Sequence, residues 1–89
     1  MPATPITTSA VVTTQADLLL GWSLAETSGS LPANIEIHDA GARTRMIASI
    51  NLDPGESTAF SLGAPLQLTG GGSIYAYVTG SIEGGIWWA

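Results

Sequence analysis

The sequence predicts an all-β fold: an antiparallel β-sandwich of about eight strands, jelly-roll-like, with an immunoglobulin-like sandwich as the alternative. Three observations carry this. Short runs of β-branched and aromatic residues are punctuated by eleven glycines, five prolines and many Ser and Thr, which is the rhythm of strand and turn. No segment has the look of a helix. The candidate strands recur at intervals of roughly 8–12 residues in a chain of 89, too short for a second domain.

The strands read, in order, as residues 6–14, 18–26, 34–39, 45–52, 57–62, 66–69, 73–79 and 81–88. Residues 1–8 form an N-terminal arm, extended against a neighbour or disordered, and residues 9–89 form the single sandwich domain. In the second strand Leu18, Leu20, Trp22 and Leu24 share one face; it is the heavier face, so Trp22 is expected as a core anchor. The 27–33 stretch is the longest polar connection and is expected to cross from one sheet to the other. Ile35 and Ile37 oppose Glu36 and His38, and Met46, Ala48, Ile50 and Leu52 oppose Ile47, Ser49 and Asn51, so both strands are half-buried.

Asp53-Pro54-Gly55-Glu56 is the strongest local signal. Pro is placed where φ near −65° is wanted and Gly where φ is positive, which predicts a hairpin between the strands ending at Leu52 and starting at Ser57. Thr58, Phe60 and Leu62 alternate with smaller residues. Gly70-Gly71-Gly72 reads as a second hairpin connection, Asp39-Ala40-Gly41-Ala42 as another turn, and Gly80 as a sharp break before the last strand. The expected core is Trp22, Leu24, Ile35, Ile37, Ile50, Leu52, Phe60, Ile74 and Val78.

Several function classes fall away. Two Lys+Arg against seven Asp+Glu give a net charge of −5, without the cationic footprint that nucleic acid or an anionic membrane surface requires. The longest apolar run, Leu18-Leu19-Leu20, is far short of a membrane span, and the first residues do not read as a secretory signal. With no cysteine there is neither disulfide framework nor thiolate site. His38 is the single histidine; beside Glu36 it reads as a solvated, salt-linked pair, not a metal ligand. The acids Asp17, Glu26, Glu36, Asp39, Asp53, Glu56 and Glu83 fall mostly at strand ends and turns, where they serve turn geometry. Arg43 and Arg45 pair with a neighbouring subunit's acids or guard a strand edge. The expectation is a chain that is not an enzyme and needs no cofactor or metal.

A domain this small hides only about 60–65% of its unfolded surface, which favours association into a homo-oligomer. Aromatic residues on outward faces point the same way. Tyr75 and Tyr77 oppose Ile74, Ala76 and Val78, while Trp87 and Trp88 fall on opposite faces of the last strand. The expected interface residues are therefore Ile6, Tyr75, Tyr77, Trp87 and Trp88, joining the first residues of the chain to its C-terminal aromatic pair.

Across residues 17–88 the succession Leu19-Leu20-Gly21-Trp22-Ser23-Leu24-Ala25-Glu26-Thr27-Ser28-Gly29, Ile35-Glu36-Ile37-His38-Asp39, Ile47-Ala48-Ser49-Ile50-Asn51-Leu52, Pro54-Gly55-Glu56-Ser57 and Tyr75-Ala76-Tyr77-Val78-Thr79-Gly80-Ser81-Ile82-Glu83-Gly84 resembles small virion structural proteins of tailed actinobacteriophages. The Trp87-Trp88 terminus departs from that pattern. The resemblance implies a capsid-associated decoration protein on the head exterior. Such a protein is assembled in the host cytoplasm, is multimeric, and has the major capsid protein or another virion protein as its partner. The alternative is a small binding module, tail-associated or recognising host-surface carbohydrate.

Overall fold

The computed structural model describes residues 3–89 and contains eight strands with no helix among them: β1 Ala3–Ile6, β2 Ala10–Thr13, β3 Leu18–Glu26, β4 Ala33–His38, β5 Met46–Leu52, β6 Ser57–Gln67, β7 Ile74–Thr79 and β8 Ile82–Trp88. The first half of the chain is laid antiparallel against the second. β1 pairs with β8, β2 with β7, β3 with β6 and β4 with β5. That ribbon is then rolled so that β8 also meets β3 and β7 also meets β4. The result is two four-stranded sheets, β1-β8-β3-β6 and β2-β7-β4-β5, the strand order of a jelly roll.

Rolling the ribbon changes what the turns do. The Asp53 to Glu56 turn forms as its residues dictate, with the Glu56 amide donating to the Asp53 carbonyl at 2.9 Å and Gly55 at φ 74°. Yet β5 and β6 lie in different sheets, so the expected hairpin is a corner between layers. The 70–72 glycines likewise carry the chain from β6 to β7 across the sandwich and close no hairpin. Among the described residues β4 and β5 are the one consecutive pair that hydrogen-bond to each other. The expected crossing at 27–33 is observed, between β3 and β4.

Two strand boundaries also differ. The expected strand at 6–14 is two strands in different sheets, separated at 7–9, where the Ser9 hydroxyl accepts from the Val78 amide at 2.7 Å. Residues 3–6 of the expected arm are thus an integral edge strand, paired with β8 from Ala3 opposite Trp87 to Ile6 opposite Gly84; residues 1–2 lie outside the described region. The expected strands at 57–62 and 66–69 are one strand with a large bulge. Ser61 faces Gly21 and Leu66 faces Leu19, so four residues, 62–65, are set against Leu20 alone.

That irregularity resets the face parity of β3. Leu19 is buried, while Leu18, Leu20 and Trp22 are half-buried. Leu24, Ile35, Ile37, Leu52 and Ile74 form the expected core, joined by Ile6, Leu19, Ile82 and Ile86. Trp22, Ile50 and Val78 pack against it only in part. Phe60, expected in the core, is 51% exposed; it sits on β6, the outermost strand of its sheet, where an inward-facing position has no further strand to cover it.

Candidate functional site

The polar side chains gather on the outer face of β4 and β7, where Glu36 stands opposite Tyr77 and His38 opposite Tyr75. Arg43 donates to Glu36 through Nε and Nη2, both at 2.9 Å, the bidentate geometry of a strong ion pair. Its guanidinium lies 3.9 Å above the Tyr77 ring. His38 Nε2 meets Glu36 Oε1 at 2.9 Å, and Arg43 first, then His38, hold the Glu36 carboxyl down at about 2. The pair expected between Glu36 and His38 is present, but it is not solvated: His38 is 3% exposed, and its Nδ1 has no partner among the described residues. Tyr77 is roofed by Arg43, and Tyr75 lies tilted against the His38 ring at 6.3 Å. Arg43 is therefore bound to an acid of its own chain.

The remaining buried acids hold loops. Glu26 accepts from the Ser28, Gly29 and Gly55 amides at 2.7, 2.7 and 3.0 Å, tying the β3–β4 crossing to the turn at Gly55. The Ser28 side chain, with those amides, keeps its carboxyl at about 2. Asp39 accepts from the Thr69 and Gly70 amides, each at 2.9 Å. Burial opposes ionisation there, but these amides and the Thr69 hydroxyl outweigh it and leave the pKa below its ordinary value. Arg45 reaches the Thr69 hydroxyl at 2.9 Å and stands 3.9 Å from Asp39. A general acid at neutral pH needs a raised carboxyl pKa, and these three are depressed. Among the described residues no three His, Asp or Glu side chains converge as metal ligands.

Sheet β1-β8-β3-β6 presents a different surface. An apolar trough of about 550 Å³ is lined by Leu20, Trp22, Phe60, Leu62, Pro65 and Trp87, with Gly21, Ala59 and Ser61 completing it and no charged residue among them. Trp22 and Phe60 are stacked, with centroids 5.3 Å apart and planes at 21°. The bulge at 62–65 forms one wall. Its base rests on Gly21, where an added Cβ would collide with the Phe60 carbonyl, so β3 and β6 approach this closely only over a glycine.

Of the five expected interface residues, only Trp87 lines the trough. Ile6 is 4% exposed, a core residue with no surface to offer a partner. Trp88 packs on the core and donates its indole N–H to the Thr4 hydroxyl at 3.0 Å. Ala3 and Thr4 lie opposite Trp87 and Ile86 within one chain, so the first residues and the C-terminal pair are joined to each other. Trp22, Phe60, Leu62 and Pro65 were not legible as surface residues. The signal in the sequence was the 57–67 segment, eleven residues without a charge, which lacks the charged guard common on edge strands.

No family model, curated protein or solved structure matches this chain.

Proposed function

We propose that this chain is a non-enzymatic virion structural protein, a multimeric decoration protein that stabilises the exterior of a phage head through contact with the major capsid protein or another virion protein. The observation that carries the reading is the division of surface. Buried acids and both arginines are bound to the chain's own amides and side chains, while one open face is an uncharged aromatic trough at a sheet edge. Such a surface is suited to adhesion, because exposed apolar patches mark sites of association. The jelly-roll order is compatible with the reading, since shell-forming proteins use it, although fold alone does not assign function. A net charge of −5 favours a place away from packaged DNA. Quantitative mass spectrometry of purified virions of the phage that encodes the chain is expected to find it in numbers comparable to the capsid protein. A few copies per particle would overturn the decoration role.

A second reading, a small module binding host-surface carbohydrate, draws on the indoles of Trp22 and Trp87 beside Phe60. Sugar recognition also needs convergent polar groups, and Ser61 supplies the one polar side chain of the lining besides those indoles. Retention of the isolated domain by a specific glycan on an array would displace the decoration reading in favour of this one.

A further inference from the structure

We infer that β6 is a dimerisation strand: two copies of this chain pair their β6 edges antiparallel about a twofold axis at Ala59, fusing their β1-β8-β3-β6 sheets into one sheet of eight strands. This rests on the adhesive reading above and gives its oligomer a contact. The outer side of β6 has no neighbouring strand among the described residues, and unpaired backbone groups on an edge are a template for strand addition. Natural edges are guarded by charge, proline, bulges or brevity. Residues 57–61 carry none of these: they are Ser-Thr-Ala-Phe-Ser, in regular register with β3 from Ser61 opposite Gly21 to Ser57 opposite Ala25. The guards begin only at the bulge, 62–65, with Pro65. The pairable segment is therefore five residues long and centred on Ala59.

A second copy is the occupant that these features fit. Residues 57–61 carry no charge, so two copies can meet along β6 without setting like charges directly opposite each other. Antiparallel pairing of a strand with itself closes on a twofold axis and needs one patch only. Head-to-tail growth onto the opposite edge of the same sheet would have to use β1, which is four residues long and contains Pro5. With Ala59 on the axis, Phe60 stands opposite the partner's Thr58 and diagonal to the partner's Phe60, within reach for aromatic side chains. The Trp22–Phe60 stack then continues across the join, covering a phenyl ring that is 51% exposed in the single chain.

The register makes the test specific, because the chain has no cysteine of its own. Ala59→Cys is expected to oxidise to a disulfide-linked dimer, whereas Val11→Cys, also exposed but on β2 of the other sheet, should not. In analytical ultracentrifugation Ala59→Lys sets two like charges directly opposite each other and should weaken self-association by about tenfold or more. Ala59→Glu should do the same, and mixing the two variants should restore association. Ala59 is exposed, so neither change should touch folding, which circular dichroism checks. The inference is overturned if the chain stays monomeric up to about 1 mM, if the Val11→Cys variant cross-links as readily as the Ala59→Cys variant, or if the Lys and Glu variants mixed associate no better than either alone. These measurements use the purified chain. Their failure would leave the virion copy number standing, and a low copy number would leave the dimer standing.

Discussion

On the outer face of β4 and β7 every charged group is held by the chain itself, whereas along β6 and its trough no charge is present and the aromatic groups are left open. Both surfaces rest on the same core, and both combine aromatic with small residues. They differ in what the sheet offers each of them. β4 is an inner strand with neighbours on both sides, so Glu36, His38, Tyr75 and Tyr77 find partners across the ladder, and Arg43 closes over them. β6 is an outermost strand whose bulge pushes Leu62 to Pro65 away from β3. Nothing among the described residues comes back to cover it. The first surface stabilises the fold, and the second is the one on which the contact proposed above is placed.

The largest expected effect on folding comes from the tied-down side. Asp39→Ala removes the carboxylate that accepts from the Thr69 and Gly70 amides in part-buried bonds, and a hydrogen bond to a charged group is worth about 1.5–3 kcal/mol. Chemical denaturation is expected to show that loss with no change in self-association. A variant as stable as the parent would mean that the acids do not tie the loops down, and the contrast between the two surfaces would fail.

Acid should act on the same lattice. Glu26 and Glu36 are held at about 2 against an ordinary 4.5. Because their folded-state values are depressed, the stability they supply is complete above about 4.5 and is lost as the pH falls towards 2. The melting temperature is expected to decline through that interval. Glu36→Gln should flatten part of the slope, and an unchanged slope would show that the Arg43 and His38 contacts do not hold in solution.

A smaller loss is expected from Arg43→Ala, since that side chain is about half exposed and water there screens even a bidentate pair. Its sharper readout is Tyr77, whose fluorescence quenching by acrylamide should rise once the guanidinium is removed, provided the three tryptophans are replaced or spectrally excluded. The smallest effect on stability belongs to Phe60→Ser, about 0.5–1 kcal/mol for the lost stack on Trp22. That same change is expected to reduce self-association more than any of the others. If it unfolds the chain, Phe60 belongs to the core after all and the two surfaces are not divided as described.

Much of this arrangement was legible locally. Strand β3 has the bounds its alternation predicts, Ile35 and Ile37 point inward as their spacing requires, and the turn at Asp53 to Glu56 has the hydrogen bond and positive φ that Pro54 and Gly55 call for. The open surface was harder to read. The alternation of Thr58, Phe60 and Leu62 marks a shared face correctly, but whether such a face is covered depends on how many strands lie beyond it, which is a property of the sheet. The 62–65 bulge hid in the same way, because a break in alternation looks identical whether it ends a strand or distorts one.

By itself, then, the sequence determined that the chain is built of strands, where most of them run, which residues of β4 and β7 face the core, and that most of its acids sit at strand ends and turns. These follow from neighbours a few residues apart: side chains alternate with period two, and proline and glycine restrict or release φ at single positions. Only the tertiary structure decided that β5 and β6 part into different sheets, that residues 3–6 join β8, that Ile6 is core and Phe60 is not, and that Glu26 reaches Gly55. Each of these depends on pairing between segments far apart in the chain, where a turn fixes that the backbone reverses but long-range packing fixes which sheet it reverses into.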